Sequence, residues 1–485
     1  MSSIRKNFIL NTLFQVLRLI SPLVVTPYVS RVLGVDGIGT FSYTYSIEYY
    51  FSMFAVLGTT AYGAREIARL RDEPEAMSHL FWEIWLMAFT TSLISIICWS
   101  IVVLNGGAHR LYYAILTFYL LAAMFDISWF YTGLERFPII VARNIVLKLI
   151  EIMFVFLLVK KMEHLYIYFL IMAGGTFLGN VSLWIGMGKN LTKVKWSTLR
   201  PYRHLKNTMV YFLPTIATSV YSVLGKTLIG AITKSDAENG IYEQATKIID
   251  VVKAVTIVSL NTVLGPRNSY LHKQGKLEQI RTNIHVSIDF TLMMSIGAVC
   301  GIIGVADLFV PLFFGAGYEP VTNLLRFLSP LLVSIAISYT IGSQYYEPVG
   351  LRFKSARYLM VGACCSVVLN LILIPVWKSL GAAIGFLISE TIIAVLYLIN
   401  CDGYINLKDL IRISWKKFVA GSIMAAMLLW QSAFMHPVTV NVILLVVVGM
   451  GIYFACLLLL GDRMVLSVLK KGYAKVADFV CKRKG

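Results

Sequence analysis

Long apolar stretches, separated by short polar or glycine-containing loops, recur from one end of the chain to the other. A helix needs about 20 mainly apolar residues to cross the hydrocarbon core of a bilayer. Fourteen runs are near that length, which predicts fourteen transmembrane helices. Their approximate limits are 8–33, 38–60, 80–104, 111–134, 138–159, 164–188, 207–232, 240–264, 284–310, 321–346, 356–377, 380–401, 416–434 and 438–460.

The composition agrees with a membrane protein and excludes an ordinary soluble domain. Of the 485 residues, 58% are hydrophobic and only 14% are charged, and the mean hydropathy is +0.74. A formal net charge of +18 would also suit nucleic acid. A bilayer explains the charge better, because Lys and Arg collect in cytoplasmic loops and meet anionic lipid there. We therefore expect membrane lipid, and no nucleic acid, as a partner.

The basic residues also predict the orientation of the chain. They are concentrated in alternate loops, above all in 189–206, and in the C-terminal segment. An even number of spans with this asymmetry places both termini in the cytoplasm. The loop 189–206 separates two halves that carry similar motifs, GLERF at 133–137 and GLRF at 350–353. We expect parallel six-helix repeats.

These observations predict a domain organisation. It comprises an N-terminal lobe at 1–188, a basic cytoplasmic linker at 189–206, a C-terminal lobe at 207–404, two further helices at 405–461 and a basic tail at 462–485. Apolar residues recur among the lysines of the tail, which predicts an amphipathic helix on the inner membrane surface. They are Val465, Leu469, Val476, Phe479 and Val480.

The first predicted span has a polar face. At about 100° per residue, Asn11, Gln15, Arg18 and Pro22 fall within one narrow sector of the helix. An arginine several turns inside the membrane must face protein or water. The first helix is therefore expected to border a polar cavity.

Other predicted spans also carry ionisable residues. Glu243, Lys247 and Asp250 share one face of the eighth span, and Lys148 and Glu151 form a similar stripe in the fifth. Single charges lie at Glu48, Asp126, Lys226, Asp289 and Arg326, and near helix ends at Glu83, Arg143 and Lys253. Any one of these residues can form an ion pair that joins two helices, or can extend its side chain to the membrane–water interface. Taken together they favour a hydrated pathway, because so many buried charges are costly.

The sequence offers no sign of catalytic or metal chemistry. The seven cysteines and seven histidines lack metal-ligand spacing, and no nucleophile–base arrangement stands out. We expect no cofactor, no metal and no enzymatic activity.

Several short motifs occur in order over about residues 4 to 400. They are KNF at 6–8, PYVSRVLG at 27–34, YGAREIA at 62–68, GLERF at 133–137, YEQATKI at 242–248, GPR at 265–267, and Asn370, Pro375, GAA at 381–383 and Glu390. In this order they resemble the repeat-unit flippases of bacterial surface polysaccharide synthesis. Those proteins form the polysaccharide transport branch of the multidrug/oligosaccharidyl-lipid/polysaccharide exporter superfamily.

The resemblance implies a fold and a function. The fold would be an all-α, MATE-like membrane bundle of two pseudo-symmetric six-helix lobes around a central cavity, with two extra C-terminal helices. The substrate would be an undecaprenyl-diphosphate-linked oligosaccharide, carried by alternating access without ATP to the outer leaflet of the bacterial inner membrane. It would serve capsule, O-antigen or exopolysaccharide synthesis, and the polysaccharide polymerase machinery is a further candidate partner.

The resemblance also suggests residue roles. Related flippases engage the diphosphate with arginines on the first helix, and Arg18 and Arg31 match that placement. Further candidate cavity cations are Lys148, Lys226, Lys247 and Arg326. Candidate acids for ion coupling or charge pairing are Glu48, Asp126, Glu151, Glu243, Asp250 and Asp289.

Two other functions remain open at this point. A cation-coupled multidrug exporter of the same superfamily would favour an acidic, aromatic cavity, whereas the second half of this chain is rich in intramembrane cations. A membrane polysaccharide polymerase or ligase would be expected to carry a sizeable outer loop with catalytic groups. No predicted outer loop here exceeds about a dozen residues.

Overall fold

The computed structural model describes residues 2–467, without the side chains of 2–14, 137, 189, 190, 213, 214, 217, 218, 220, 221 and 263. These residues are helical almost throughout, and no β-strand occurs among them. They form two compact units, one up to Gly240 and one from Ile241.

The first unit is built from eight helices. They are α1 (Ser2–Val56), α2 (Thr59–Leu70), α3 (Pro74–Leu104), α4 (Arg110–Met124), α5 (Ser128–Gly133), α6 (Phe137–Leu158), α7 (Leu165–Ser182) and α8 (Leu205–Thr233). Helix α9 (Asp236–Lys253) begins in the first unit and continues into the second. The second unit contains α10 (Ser259–Lys273), α11 (Leu277–Phe314), α12 (Glu319–Leu328), α13 (Leu331–Ile341), α14 (Arg352–Ile399), α15 (Leu407–Ser432) and α16 (Thr439–Leu459).

Two of the longest helices are sharply bent. Helix α1 breaks at Gly34, where φ is +66°. That backbone conformation is open to glycine and strained for residues with a Cβ. Helix α14 breaks at Lys378, where φ is +49°. Both breaks fall between consecutive predicted apolar runs, so the sequence located these two turns correctly.

The helices include eight candidate membrane spans within the described part of the chain, or nine if α12 and α13 count as one bent span. Two candidates are much longer than one crossing needs, namely Gln15–Leu70 with 56 residues and Arg352–Ile399 with 48. The prediction of an all-helical, multi-pass membrane protein is confirmed. The count of fourteen spans and the layout of the lobes stay predictions.

The first unit buries aromatic residues between its helices and presents aliphatic ones outward. Trp99 and Phe169 are fully buried in a cluster formed by α1, α3, α4, α6 and α7. By contrast, Ile97 on α3 is 60% exposed and Leu104 is 67% exposed. An apolar outer surface of this kind is what a lipid-facing helix presents.

The start of α9 crosses the second half of α1 at a contact made by two glycines. A Cβ added at Gly39 would overlap the carbonyl oxygen of Asp236, and one added at Gly240 would overlap the carbonyl oxygen of Val35. Thr40 Oγ1 donates a hydrogen bond of 2.7 Å to Asp236 Oδ2 beside the crossing. The two backbones can approach this closely only because neither glycine carries a side chain.

The predicted domain limits are not tested by this division. The first compact unit ends at Gly240, whereas the predicted linker is 189–206. In the predicted tail helix, Val465 is buried. The other four apolar positions of that prediction, Leu469, Val476, Phe479 and Val480, lie outside the described residues.

Candidate functional site

Arg18 lies on the first half of α1, before the break at Gly34. Its side chain is exposed, and it makes no ion pair with any described side chain. Arg31, further along the same half of α1, is also exposed but has an interaction within the structure. An arginine inside the hydrocarbon core would require water or an anion, because lipid cannot compensate its charge.

Glu48 lies on the second half of α1 and is only 1% exposed. The hydroxyl of Ser52, one turn further, donates a hydrogen bond to Glu48 Oε1. Within the described part of the chain, no cation pairs with this carboxyl group. Glu48 is therefore a buried acid in the first unit that is not neutralised by a basic side chain.

Helix α8 meets the second half of α1 through polar contacts. Thr227 Oγ1 donates to Ser46 Oγ at 2.9 Å, and the hydroxyls of Tyr49 and Ser219 are 3.4 Å apart. Lys226 is half-buried on α8 beside Thr227 and has an interaction partner of its own. This cation thus lies next to a polar seam inside the first unit.

The remaining predicted residues of this unit have local partners. Lys148 Nζ lies 2.6 Å from Glu151 Oε1, one turn away on α6. Asp126 Oδ1 accepts a hydrogen bond of 2.8 Å from the backbone N–H of Ser128, at the start of α5. The observed contact of Asp126 is therefore that of a helix-start residue.

In the second unit, the predicted stripe on α9 consists of two ion pairs. Lys247 Nζ lies 3.7 Å from Glu243 Oε1. Asp250 pairs instead with Lys253, a predicted helix-end charge. Because the pairs are spaced i, i+4 and i, i+3, each joins neighbouring turns of the same helix.

Two other predicted residues are paired between helices. Arg326 Nη2 lies 2.6 Å from Asp307 Oδ2 on α11, and its Nε donates to the carbonyl of Ile303 at 3.2 Å. Asp289 Oδ1 lies 2.6 Å from Lys417 Nζ on α15. Both charges are compensated by groups of the same unit.

Glu83 is 1% exposed and ion-paired, which is one of the two possibilities that the sequence left open for it. Its carboxylate accepts a hydrogen bond of 2.8 Å from the backbone N–H of Arg200. It also lies 2.6 Å from Arg203 Nη2 and 2.9 Å from His204 Nε2. Glu83 therefore ties the predicted linker to α3, and only the three-dimensional contact reveals this.

Two further buried charges were missed as candidates. Glu390 on α14 is 6% exposed and accepts a hydrogen bond of 2.5 Å from Ser338 Oγ. Lys417 on α15 is 1% exposed. For Glu390 the available signal was a lone charge inside an apolar run, whereas Lys417 only follows Lys416 at the start of such a run. Among the described residues, no group of three or more His, Cys, Asp and Glu side chains could hold a metal ion.

The described residues are helical almost throughout and include helices long and apolar enough to span a bilayer, which defines a multi-pass membrane protein. Its fold is similar to lipid II flippase MurJ in an inward closed conformation, with a TM-score of 0.70 and 13% identity over 93% of this chain and 97% of that one. It is also similar to an inward-facing multidrug resistance MATE family transporter, with a TM-score of 0.59 and 14% identity over 87% and 99% of the two chains.

Sequence comparison identifies the family. The model of a family described as polysaccharide biosynthesis protein matches residues 4–272, and the chain belongs to this family. A putative O-antigen transporter of Escherichia coli K12 is 23% identical over 409 residues, which cover 82% of this chain and 96% of the relative. A probable low-salt glycan biosynthesis flippase, Agl15 of Haloferax volcanii, is 25% identical over 281 residues, or 57% of each chain. The resemblance found in the sequence motifs is confirmed.

Proposed function

We propose that the protein flips undecaprenyl-diphosphate-linked oligosaccharides from the inner to the outer leaflet of the bacterial inner membrane by alternating access. The flipped oligosaccharide supplies surface polysaccharide synthesis. Relatives named as an O-antigen transporter and a glycan flippase support this function. So does the fold, which is similar to that of lipid II flippase MurJ.

The main structural support for the proposal is the unpaired charge of Arg18 among the described side chains. This residue lies on a membrane-spanning helix without an acidic partner among the described side chains. A guanidinium offers a planar set of donors that matches phosphate oxygens, and a lipid diphosphate supplies the missing negative charge. Outward movement of that anion is driven by an inside-negative potential and is favourable by about 2.3 kcal/mol per charge per 100 mV.

The proposed topology has fourteen spans with both termini in the cytoplasm. The observed helices support this number if α1 and α14 each cross the membrane twice. Helix α4 would then form one span with α5, α9 one with α10, and α12 one with α13. Positive charge on the linker 189–206 supports its cytoplasmic location.

Reconstituted vesicles given a lipid diphosphate with a short sugar test the function. Arg18→Ala should abolish most flipping, and Arg18→Lys should retain part of it, because lysine keeps the charge but loses the bidentate geometry. Arg110→Ala is the matched control, since Arg110 is exposed at the start of α4 and makes no ion pair with a described residue. Normal flipping by folded Arg18→Ala protein would remove Arg18 from the site.

A second candidate function is cation-coupled export, which the buried carboxyl group of Glu48 favours. A carboxyl group without a basic partner can bind a proton or a sodium ion. In vesicles with an imposed proton or sodium gradient, such an exporter would drive out a cationic dye, and Glu48→Gln would stop it. Dye export together with no flipping of the lipid diphosphate would favour this candidate over the flippase.

A further inference from the structure

A polar pocket of about 280 Å³ lies at one end of the second unit. It is formed by the early part of α11, the first turns of α15 and the residues that follow α16. The lining residues lie near the starts of α11 and α15 and just after α16, and most of them are charged, so the pocket is placed where a membrane-embedded bundle meets water. None of the residues in this pocket except Asp289 belongs to the proposed substrate site.

The floor of the pocket is rigidly built. Lys417 Nζ lies 2.6 Å from Asp289 Oδ1 and 2.9 Å from Asp462 Oδ2, and it donates to the carbonyl of Ile413 at 2.8 Å. Asp462 is only 3% exposed and accepts a hydrogen bond of 3.0 Å from the backbone N–H of Met464. This network fixes the end of α16 against α11 and α15.

The rim of the pocket carries two cations that the floor does not use. Arg412 and Arg463 are exposed and make no ion pair with any other described residue. Their planar guanidinium groups suit the oxygens of a phosphate. Asp409 also lines the pocket, and its carboxylate can accept hydrogen bonds from hydroxyl groups.

An apolar groove of about 360 Å³ follows the polar pocket along the same helices. It is lined almost entirely by apolar side chains of α9, α11, α15 and α16. Met293 in the groove is one turn beyond Asp289 on α11, and Met424 is two turns beyond Lys417 on α15. Methionines suit a groove that holds a flexible chain, because the unbranched side chain adapts its shape.

We propose that pocket and groove together bind one anionic glycerophospholipid with a hydroxylated headgroup, of the phosphatidylglycerol type. Its phosphate contacts Arg412 and Arg463, its glycerol hydroxyls contact Asp409, and one acyl chain occupies the groove. The lipid would thereby join α15 and α16 to α11. The site is independent of the proposed flippase function.

The charge of the pocket favours this occupant over a lipid diphosphate. Its four cations and three carboxylates leave a single net positive charge, which matches the single negative charge of a phosphodiester. These residues are Arg412, Lys416, Lys417, Arg463, Asp289, Asp409 and Asp462. Anionic lipids are also the abundant phosphates at a membrane surface, where they are drawn to basic groups.

Native mass spectrometry of the full-length protein in detergent tests the headgroup site. Phosphatidylglycerol should remain bound where phosphatidylcholine with the same acyl chains does not. The double variant Arg412→Ala, Arg463→Ala should bind phosphatidylglycerol at least about tenfold more weakly, because two charge-assisted contacts are lost. Lys408→Ala removes a positive charge from the same turn of α15 without touching the pocket, and it should bind as the unaltered protein does.

A second variant tests the groove. Gly301 lines it, and a Cβ at that position would meet no atom within 4 Å, so Gly301→Leu should fold and fill the space. Phosphatidylglycerol should then be lost more readily. Gly451→Leu is the matched control, because Gly451 has equally open surroundings on α16 but does not line the groove.

Three results would overturn the proposal. The first is equal retention of phosphatidylglycerol and phosphatidylcholine, which would indicate unspecific lipid. The second is unchanged phosphatidylglycerol affinity in both the arginine and the Gly301 variants. The third is weakened binding of a short-chain polyprenyl diphosphate with unaltered binding of phosphatidylglycerol, which would assign the pocket to the substrate carrier. Loss of flipping alone would bear on the proposed function and not on this site.

Discussion

The glycine crossing of α1 and α9 allows a sharp stability test. In Gly39→Ala the new methyl group would overlap the carbonyl oxygen of Asp236 and would also lie 2.9 Å from the backbone nitrogen of Gly240. Both obstacles are backbone atoms, so no side-chain rotation can relieve them. Overpacking of this kind typically costs about 1–3 kcal/mol. Alanine is favoured over glycine in a helix interior by about 1 kcal/mol, which offsets part of this cost. Because the new methyl group forces the two helices apart, the net effect should be a loss of stability.

Gly174→Ala provides the control for that prediction. Gly174 lies within α7, and a Cβ there would meet no atom within 4 Å. It should therefore raise stability slightly, by up to about 1 kcal/mol, through helix propensity alone. The midpoint of thermal unfolding, measured for both variants in the same detergent, should fall for Gly39→Ala and hold or rise for Gly174→Ala.

Gly240→Ala, alone and combined with Gly39→Ala, adds a second test of the same crossing. Gly240→Ala should also lower the midpoint, because its Cβ would overlap the carbonyl oxygen of Val35. Once one methyl group has separated the helices, the second meets less resistance, so the two losses should be less than additive. Equal midpoints for Gly39→Ala and Gly174→Ala would refute the close contact.

Three further changes test the charge network. Lys417→Met leaves two carboxylates unpaired and should lower the thermal midpoint by the equivalent of about 3–5 kcal/mol; an unchanged midpoint would mean that water reaches them. Glu83→Gln removes the negative charge that holds the linker, so proteolysis within 189–206 should become faster, and an equal rate would contradict the tether. Exchange of Glu243 and Lys247 should retain more flipping than either neutral variant, whereas strictly additive losses would show that the two do not interact.

The sequence predicted those features that depend on neighbouring residues. Apolar run length indicated the membrane class, and a glycine between two runs located the turn at Gly34. Helical spacing also placed Glu243 and Lys247 on one face, where they pair. Each of these relations spans a few residues, so the periodicity of a helix is sufficient to derive it.

Contacts between distant segments could not be derived in this way. Lys417 appears in the sequence as a charge near the start of an apolar run, and nothing local indicates that Asp289 and Asp462 surround it. Glu83 likewise depends on a linker more than a hundred residues away. Such pairs arise from tertiary packing, and a single sequence contains no direct record of it.

The pairing pattern supports Arg18 as the cation to test first. Lys148, Lys247 and Arg326 each have a carboxylate within 4 Å, so a diphosphate would have to compete with a covalently tethered anion for them. An existing ion pair contributes little net positive charge to a cavity, because the field of the acid largely cancels that of the base. Arg18 makes no such pair with a described side chain. Its charge is therefore available to an incoming anion without the cost of breaking an ion pair, which makes it the strongest candidate for the diphosphate contact.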